Sequence, residues 1–116
     1  MIVGTGIDLV KIIRIEELFV QYGDRFLKKI LSSEEIKNIP SVQKEEYIAG
    51  RFAAKEALAK ATEHRFNMTE ISVLNDSSGK PFFSGKFFEN EMAGKKIHLS
   101  ISHDGDYAVA FVVIEA

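Results

Sequence analysis

The chain has 116 residues, of which 46% are hydrophobic and 28% are charged, so it carries enough apolar material for one core of ordinary domain size. Its formal net charge of −2 gives no broadly basic field and argues against nucleic acid as a partner. The absence of cysteine excludes disulfides, a thiolate nucleophile and cysteine metal sites.

No apolar run approaches the ~18 residues of a membrane span, and the N-terminal sequence lacks the pattern of a signal peptide. We therefore predict a single cytoplasmic domain over residues 1–116 that has no membrane partner.

The first predicted element is a buried strand over residues 2–10 that ends near Asp8, because this segment is apolar and rich in β-branched side chains. Gly4 and Gly6 interrupt the strand, and glycine within a strand often marks a bulge or the close approach of another group. Helical periodicity follows and ends at Gly23, a residue typical of a helix C-cap.

Three more helices are predicted before the middle of the chain. A short helix follows directly, and Ser32 or Ser33 caps another that ends before Pro40. Ser41 is predicted to cap the longest helix, which spans about Val42 to Thr62.

The second half of the chain is richer in strands. "TEISVLNDSSGKPFF" predicts two short strands joined by a turn, and a helical segment ending in glycine follows it. The clearest hairpin has "HDGD" as its turn, with Asp104-Gly105 at the centre, and its return strand, Tyr107 to Ile114, is apolar enough to be buried. The pattern predicts an α+β fold in which a small, largely antiparallel sheet packs on one long helix, with shorter helices around it.

The long helix carries the first candidate site residues. Small residues surround most of its circumference, which indicates a helix packed on several sides, while Arg51 and Lys55 share a more polar edge. Glu56 and Lys60 lie four residues apart, a spacing that also fits an ordinary surface ion pair worth ~0.3–0.5 kcal/mol.

Asp8 and Glu56 together would suit a magnesium ion, since Mg²⁺ takes one or two carboxylates and fills its other positions with water and phosphate. Asp8 equally fits a residue that closes a strand or caps the next helix, and His103 fits an ordinary turn histidine. The spacing alone leaves open whether Asp8 and Glu56 meet in space.

Four motifs occur in order along the chain: "GIDLV" from Gly6, "RFAAKEALAKA" from Arg51, "LNDSSGKP" from Leu74 and "SISHDGDYAVA" from Ser100. With these motifs the chain resembles, almost end to end, the holo-[acyl-carrier-protein] synthases, the short single-domain group of the 4′-phosphopantetheinyl transferases. The resemblance implies that group's fold. It also implies transfer of the phosphopantetheine arm of coenzyme A to a serine of apo acyl carrier protein, leaving adenosine 3′,5′-bisphosphate.

The resemblance also implies the roles of individual residues. Asp8 and Glu56 match the magnesium ligands, and Lys60 matches the lysine that contacts the phosphate. Coenzyme A would further contact Arg51, His103 and the loop that contains Lys80. Members of this length are typically homotrimers with active sites between neighbouring subunits.

In this chemistry Lys60 would stabilise the charge that gathers on the leaving phosphate. Glu56, directly or through a water molecule, is the best local base for the serine hydroxyl. Lys55, which precedes Glu56 in the motif, is a weaker candidate for a residue near the coenzyme A phosphates. Arg51 suits a phosphate fork, although it also fits a solvated helix face.

Acyl carrier proteins are acidic, so docking needs a local basic surface on this slightly acidic chain. Family analogy places Arg14 on the carrier-protein surface. The first helical region contains four more basic residues, which equally fit simple helix solubility: Lys11, Arg25, Lys28 and Lys29.

The chain departs from the family pattern at Thr62–Arg65, which replaces a glycine-rich turn after the long helix, so the adenine contacts there are expected to differ. Two other functions stay open from the residues alone: a non-catalytic module that binds coenzyme A or the carrier protein, and another magnesium-dependent phosphate enzyme such as a pyrophosphohydrolase.

Overall fold

The structure is a computed structural model that describes all 116 residues, Met1 to Ala116. Five strands, five α-helices and one 3₁₀ turn follow one another along the chain: β1 (Ile2–Lys11), α1 (Ile12–Tyr22), α2 (Asp24–Ile30), α3 (Ser33–Lys37), α4 (Lys44–Ala61), the 3₁₀ turn Met68–Glu70, β2 (Ser72–Asn75), β3 (Pro81–Ser84), α5 (Lys86–Glu89), β4 (Lys96–Asp104) and β5 (Tyr107–Glu115).

The predicted α+β class is confirmed. Strands β1, β5 and β4 form one antiparallel sheet in that order, and β2 pairs with β3 in a separate two-stranded sheet. Helix α4 packs on one face of the larger sheet, where alternate residues of β5 are buried: Ala108, Ala110, Val112 and Ile114. We call this helix-covered side of the larger sheet its inner face.

The two glycines of β1 let α4 lie directly on the strand backbone. A Cβ atom added at Gly6 would lie 1.9 Å from the carbonyl oxygen of Ala57, and one added at Gly4 would lie 2.0 Å from that of Ala61. These distances are far inside van der Waals contact, so any side chain at either position would push the helix away. The close approach that the sequence indicated is thus the contact between β1 and α4.

Two of the predicted helix boundaries are confirmed by their hydrogen bonds. Gly23 ends α1 at φ 58°, and its N–H donates to the carbonyl of Phe19 over 2.8 Å. Ser32 is the N-cap of α3, where the Ser32 hydroxyl accepts from the Glu35 N–H and the Glu35 carboxylate accepts from the Ser32 N–H. This reciprocal pair is a capping box.

The predicted start of the long helix is wrong by two residues. Helix α4 begins at Lys44 rather than Val42, and Ser41 makes no cap. Gln43 precedes the helix in the left-handed region, at φ 55°, and its side chain does not bond to the helix end. The chain therefore turns sharply into α4 without a side-chain cap, which a reading based on capping residues does not anticipate.

The strand ends also differ from the prediction. β1 continues past Asp8 to Lys11, which pairs with Tyr107. The β4–β5 loop consists of Gly105 and Asp106, because Asp104 is itself paired with Tyr107. Gly105 takes φ 57° at the first loop position, so the primed turn is present but is centred one residue later than predicted.

The apolar composition of β1 and β5 predicts that both strands are buried, but each of them is covered on one face only. Apolar side chains on the face of the larger sheet opposite α4 remain exposed, including Ile7, Leu9 and Phe111, with Leu9 at 64%. We call this side the outer face. No helix of the chain is long and apolar enough to cross a bilayer.

Gly6→Ala should destabilise the fold strongly, because its methyl group meets backbone rather than a movable side chain. We expect a loss of about 3 kcal/mol or more in the free energy of unfolding, measured by urea denaturation followed by circular dichroism. Gly50→Ala in α4 is the matched control, since its methyl group meets only a side-chain carbon of Ile101 at 3.2 Å. It should change stability by no more than about 1 kcal/mol. Equal effects of the two substitutions would contradict the role of the β1–α4 contact.

Candidate active site

Asp8 is the next inward-facing residue of β1 after Gly4 and Gly6. It pairs with Ala110 of β5, which pairs in turn with Ile101 of β4, so these three residues form one row across the sheet. The Asp8 side chain is 16% exposed. The alternation of the strand therefore puts a carboxylate on the same face as α4, directly beyond the glycines that the helix covers.

Lys60 reaches from α4 to β1. Its ammonium group donates to the carbonyl of Ile7 over 2.8 Å and to Asp8 Oδ1 over 3.2 Å, while the side chain remains 55% exposed. Lys60 forms its ion pair with Asp8, and it forms none with Glu56. The simple i,i+4 surface pair is thus replaced by a contact between helix and strand.

Glu56 lies half-buried beside Asp8. Burial raises the pKa of the Glu56 carboxyl above its ordinary value, the negative charge of Asp8 raises it further, and the charge of Lys60 opposes both. Two carboxylates that repel each other in a partly desolvated place attract a cation. The arrangement therefore favours binding of a metal ion or of a proton at this position.

A cleft of about 370 Å³ joins these acids to the first helical region. Both carboxylates and Arg14 of α1 line it, together with apolar side chains of β1, α1, α2 and α4. The N-terminal part of the chain and the long helix α4 are thus brought together at one concave surface.

The metal-ligand candidates are two carboxylates, and the chain has no cluster of three or more acidic, histidine or cysteine side chains. Oxygen-only donors in this small number suit Mg²⁺, which is usually held by one or two carboxylates and completes its shell with water and substrate phosphate. Asp8 and Glu56 therefore fit the predicted ion chemically.

Arg51 lies in a different cleft, of about 390 Å³, on another side of α4. Its guanidinium stacks over the Tyr47 ring at 3.9 Å, and its Nη2 donates to Asn75 Oδ1 over 2.6 Å. The buried Arg51 Nε has no partner. Arg51 is therefore held by specific contacts and is not the solvated helix residue of the alternative reading.

Lys80 and His103 are also apart from the acidic pair in the single chain. Lys80 follows a turn in which Asp76 Oδ1 accepts hydrogen bonds from the N–H groups of Ser78 and Lys80, and it lines a depression on the outer face of the larger sheet. His103 is exposed near the end of β4, opposite Ala108. One chain thus brings together Asp8, Glu56, Lys60 and Arg14 and leaves Arg51, Lys80 and His103 elsewhere.

Lys55 does not lie on a polar edge, and that prediction is wrong. Its side chain is 0% exposed and forms an ion pair with Glu35, which is equally buried. Burial lowers the pKa of the Lys55 ammonium, and the charge of Glu35 opposes this. The periodicity of α4 could not reveal a buried partner on α3.

Three polar residues that surround Arg51 and Lys55 were not identified from the sequence: Glu35, Tyr47 and Asn75. Ser32 and Glu35 have the spacing of a capping box, and Tyr47 precedes Arg51 by one helical turn, so local signals for these two existed. No local signal predicts the contact of Asn75 with α4.

Comparisons with known proteins identify relatives over the whole length of the chain. The family model described as "4′-phosphopantetheinyl transferase superfamily" matches residues 4–112. The holo-[acyl-carrier-protein] synthase of Clostridium tetani is 43% identical, over 99% of this chain and 97% of that relative.

Solved structures agree with this relationship. The holo-[acyl-carrier-protein] synthase of Neisseria meningitidis superimposes with a TM-score of 0.89 at 37% identity, covering 100% of both chains. A holo-(acyl-carrier-protein) synthase from Bacillus anthracis, in complex with CoA (3′,5′-ADP), gives a TM-score of 0.83 at 38% identity over 100% of this chain and 98% of that one.

The proximity of the two carboxylates can be tested by titrating Glu56. In metal-free buffer, nuclear magnetic resonance should give a Glu56 pKa above the ordinary value of 4.5. Asp8→Asn should lower that pKa because it removes a negative neighbour, and Lys60→Met should raise it because it removes a positive one. Shifts of the same sign in the two variants, or a wild-type pKa at or below the ordinary value, would contradict the described geometry.

Proposed function

The chain belongs to the 4′-phosphopantetheinyl transferase superfamily, whose members are enzymes that transfer phosphopantetheine, and we propose that it moves this group from coenzyme A to a serine of apo acyl carrier protein. The second product is adenosine 3′,5′-bisphosphate. The observation that carries this proposal is that Asp8 and Glu56 line one cleft while Lys60 bonds to Asp8, in a chain that matches holo-[acyl-carrier-protein] synthases over its full length.

Asp8 and Glu56 are the proposed magnesium ligands. Burial and the charge of Asp8 both raise the pKa of Glu56, and the repulsion between the two carboxylates supports this assignment because a bound divalent cation would offset it. When bound, magnesium would withdraw negative charge from the diphosphate of coenzyme A and orient the bond that breaks.

In the proposed reaction the serine oxygen bonds to the phosphorus that carries pantetheine, and the bond from this phosphorus to the bridging oxygen breaks. Lys60 stabilises the negative charge that collects on the departing bisphosphate. Its exposed ammonium group, anchored only by Ile7 and Asp8, supports this role because a neighbouring phosphate can reach it.

The serine proton goes to Glu56, directly or through a water molecule. Burial and the charge of Asp8 raise the pKa of the Glu56 carboxyl only while no metal is bound, so the proposed base role rests on the position of this group and not on that shift. The half-buried position also keeps the group beside the cleft where the serine must arrive.

The first helical region supplies the proposed docking surface for the carrier protein. A second cleft, of about 340 Å³, contains Arg25 and Lys29 and shares Leu18 and Phe26 with the active-site cleft. A basic and apolar surface that leads to the two acids suits an acidic helical partner whose serine must reach them. Arg14 and Lys11 line the same cleft as Asp8 and Glu56, and Arg14 is the proposed contact to the carrier protein.

The coenzyme A contacts assigned to Arg51, Lys80 and His103 require a second subunit, because one chain keeps these residues apart from the acids. We propose a homotrimer in which neighbouring copies complete each site. The exposed apolar residues of the outer face, Ile7, Leu9 and Phe111, support self-association, since contiguous exposed apolar surface commonly marks an interface.

Two other functions remain distinguishable. A module that only binds coenzyme A or the carrier protein would leave the carrier unmodified. A pyrophosphohydrolase would cleave coenzyme A without any carrier. The presence of Asp8, Glu56 and Lys60 together, a set that supplies both metal ligands and a cation for the leaving group, favours catalysis over simple binding.

Incubation of apo acyl carrier protein with the chain, coenzyme A and magnesium should add one phosphopantetheine mass to the carrier, measured by intact mass spectrometry. Asp8→Ala should reduce turnover by about 10²-fold or more, because it removes a ligand of the proposed ion, and should leave the circular dichroism spectrum unchanged. Glu89→Ala, which removes an exposed carboxylate of α5, is the control and should retain full turnover. An unmodified carrier protein, or full activity of Asp8→Ala, would refute the proposal.

Arg14→Ala should raise the KM for carrier protein by about two- to fivefold, with little change in kcat, because it removes one partly exposed charge contact. Arg65→Ala removes the same charge at an exposed position that lines neither cleft of the docking surface, and it should leave this KM unchanged. The same KM in all three proteins would place the docking surface elsewhere.

A further inference from the structure

Lys55 uses all three of its N–H donors inside the protein. Its ammonium group donates to the carbonyls of Ile30 and Met68, over 2.9 and 2.8 Å, and to the carboxylate of Glu35. Lys55 immediately precedes Glu56, yet it is fully buried on a different side of α4 and cannot meet a substrate phosphate.

Glu35 extends this network to the β2–β3 hairpin. Its Oε1 accepts from the N–H of Ser32 and its Oε2 from the N–H of Val73, each over 2.8 Å. The backbone carbonyl of Glu35 also accepts from the Tyr47 hydroxyl over 2.8 Å. The buried pair therefore joins α4 to the end of α2, the start of α3, the 3₁₀ turn and the first half of β2.

The hairpin is a separate two-stranded sheet whose Val73 is buried in the core, and two side-chain contacts join it to the start of α3: the bond from Val73 to Glu35 and the 2.6 Å contact between the Ser32 and Ser72 hydroxyls. Two residues after Val73, Asn75 accepts from Arg51 and donates to the carbonyl of Gly79 over 2.9 Å. Lys80 follows Gly79 directly. The hydrogen bond from Val73 to Glu35 thus fixes the segment that carries both Asn75 and Lys80.

Tyr47 completes the connection from the other side of the cleft. The Tyr47 ring, which stacks under the Arg51 guanidinium, donates a hydrogen bond from its hydroxyl to the backbone carbonyl of Glu35. Helix α3 therefore supports Tyr47 directly, and through the bond from Val73 to Glu35 it also supports β2, the strand that carries Asn75. The acidic pair is fixed differently, by the contact of Gly4 and Gly6 with α4.

We propose that Lys55 and Glu35 form a positioning pair for the nucleotide-binding half of the site. They touch no substrate, and they set the place of Arg51, Asn75 and Lys80 relative to α4. The nucleotide role rests on the proposed function. Replacing a buried ion pair with apolar residues is often neutral for stability, so the geometric role can be separated from folding.

Two double variants test this proposal: Lys55→Met with Glu35→Gln, and Lys55→Met with Glu35→Leu. Both remove both charges. The first retains one side-chain oxygen that can accept from the Val73 N–H or the Ser32 N–H, and the second leaves both buried N–H groups without an acceptor, so the two variants differ in the hydrogen bonds by which residue 35 joins α3 to β2.

The leucine variant should raise the KM for coenzyme A about tenfold, with kcat and the magnesium requirement within about twofold of wild type. Its amides in residues 72–84 should exchange with deuterium faster than those of wild type. The glutamine variant should keep both the KM and the exchange rates within about twofold of wild type. All assays are run where circular dichroism shows folded protein.

Equal KM values in the two double variants, or a fall in kcat at unchanged KM, would overturn the proposal, and the latter would assign Lys55 to the chemistry. If the leucine variant does not fold, the glutamine variant alone tests the proposal. Loss of turnover in the glutamine variant, with a KM for coenzyme A equal to that of wild type, would also overturn the proposal. Absence of transfer by the wild-type chain would refute the proposed function instead, while the difference in deuterium exchange would still report the anchor.

Discussion

The contact of α4 with the bare backbone of β1 is the constraint on which the rest of the molecule depends. Gly4 and Gly6 have no side chains, so the helix rests on the strand itself, with Ala57 and Ala61 against it. Strand alternation then makes Asp8 the next inward residue, and the helix brings Glu56 and Lys60 to its side. A bulkier residue at either glycine would move the helix and separate the charged groups, even though neither glycine carries any chemistry of its own.

Different forces hold the two parts of the candidate site. The acidic pair is placed by close packing of small residues, which is non-directional and leaves the carboxylates beside a cleft. The Arg51 cleft is placed by directional contacts that converge on the buried Glu35 and Lys55. Burial of two charges is costly unless each is fully hydrogen-bonded, and all three Lys55 donors and both Glu35 oxygens have partners here. The main contribution of such a network is to fix one arrangement of the elements it joins, and its contribution to the free energy of folding is small.

Much of the fold follows from local patterns in the sequence. The glycines of β1, the Gly23 cap, the Ser32 cap and the hairpin strands were all readable, because each depends on residues close together in the chain. The start of α4 was missed since Gln43 turns the chain without a capping side chain. The burial of Lys55 was missed because its partners lie 13 to 25 residues away on other elements. Asp8 and Glu56 were candidates from the motifs, whereas their shared cleft depends on the packing of β1, α1, α2 and α4, which no local pattern encodes.

β1 carries two sets of residues on its two faces. Asp8 points inward to the acidic pair, while its immediate neighbours Ile7 and Leu9 remain uncovered on the outer face. In the proposed trimer, the strand that carries the proposed metal ligand Asp8 is therefore also a strand of the surface through which copies meet. Dilution that separates the copies would then withdraw both the apolar cover and the neighbour's contribution to the site. Specific activity per chain would consequently fall at low concentration, so that the abundance of the enzyme itself would regulate its output.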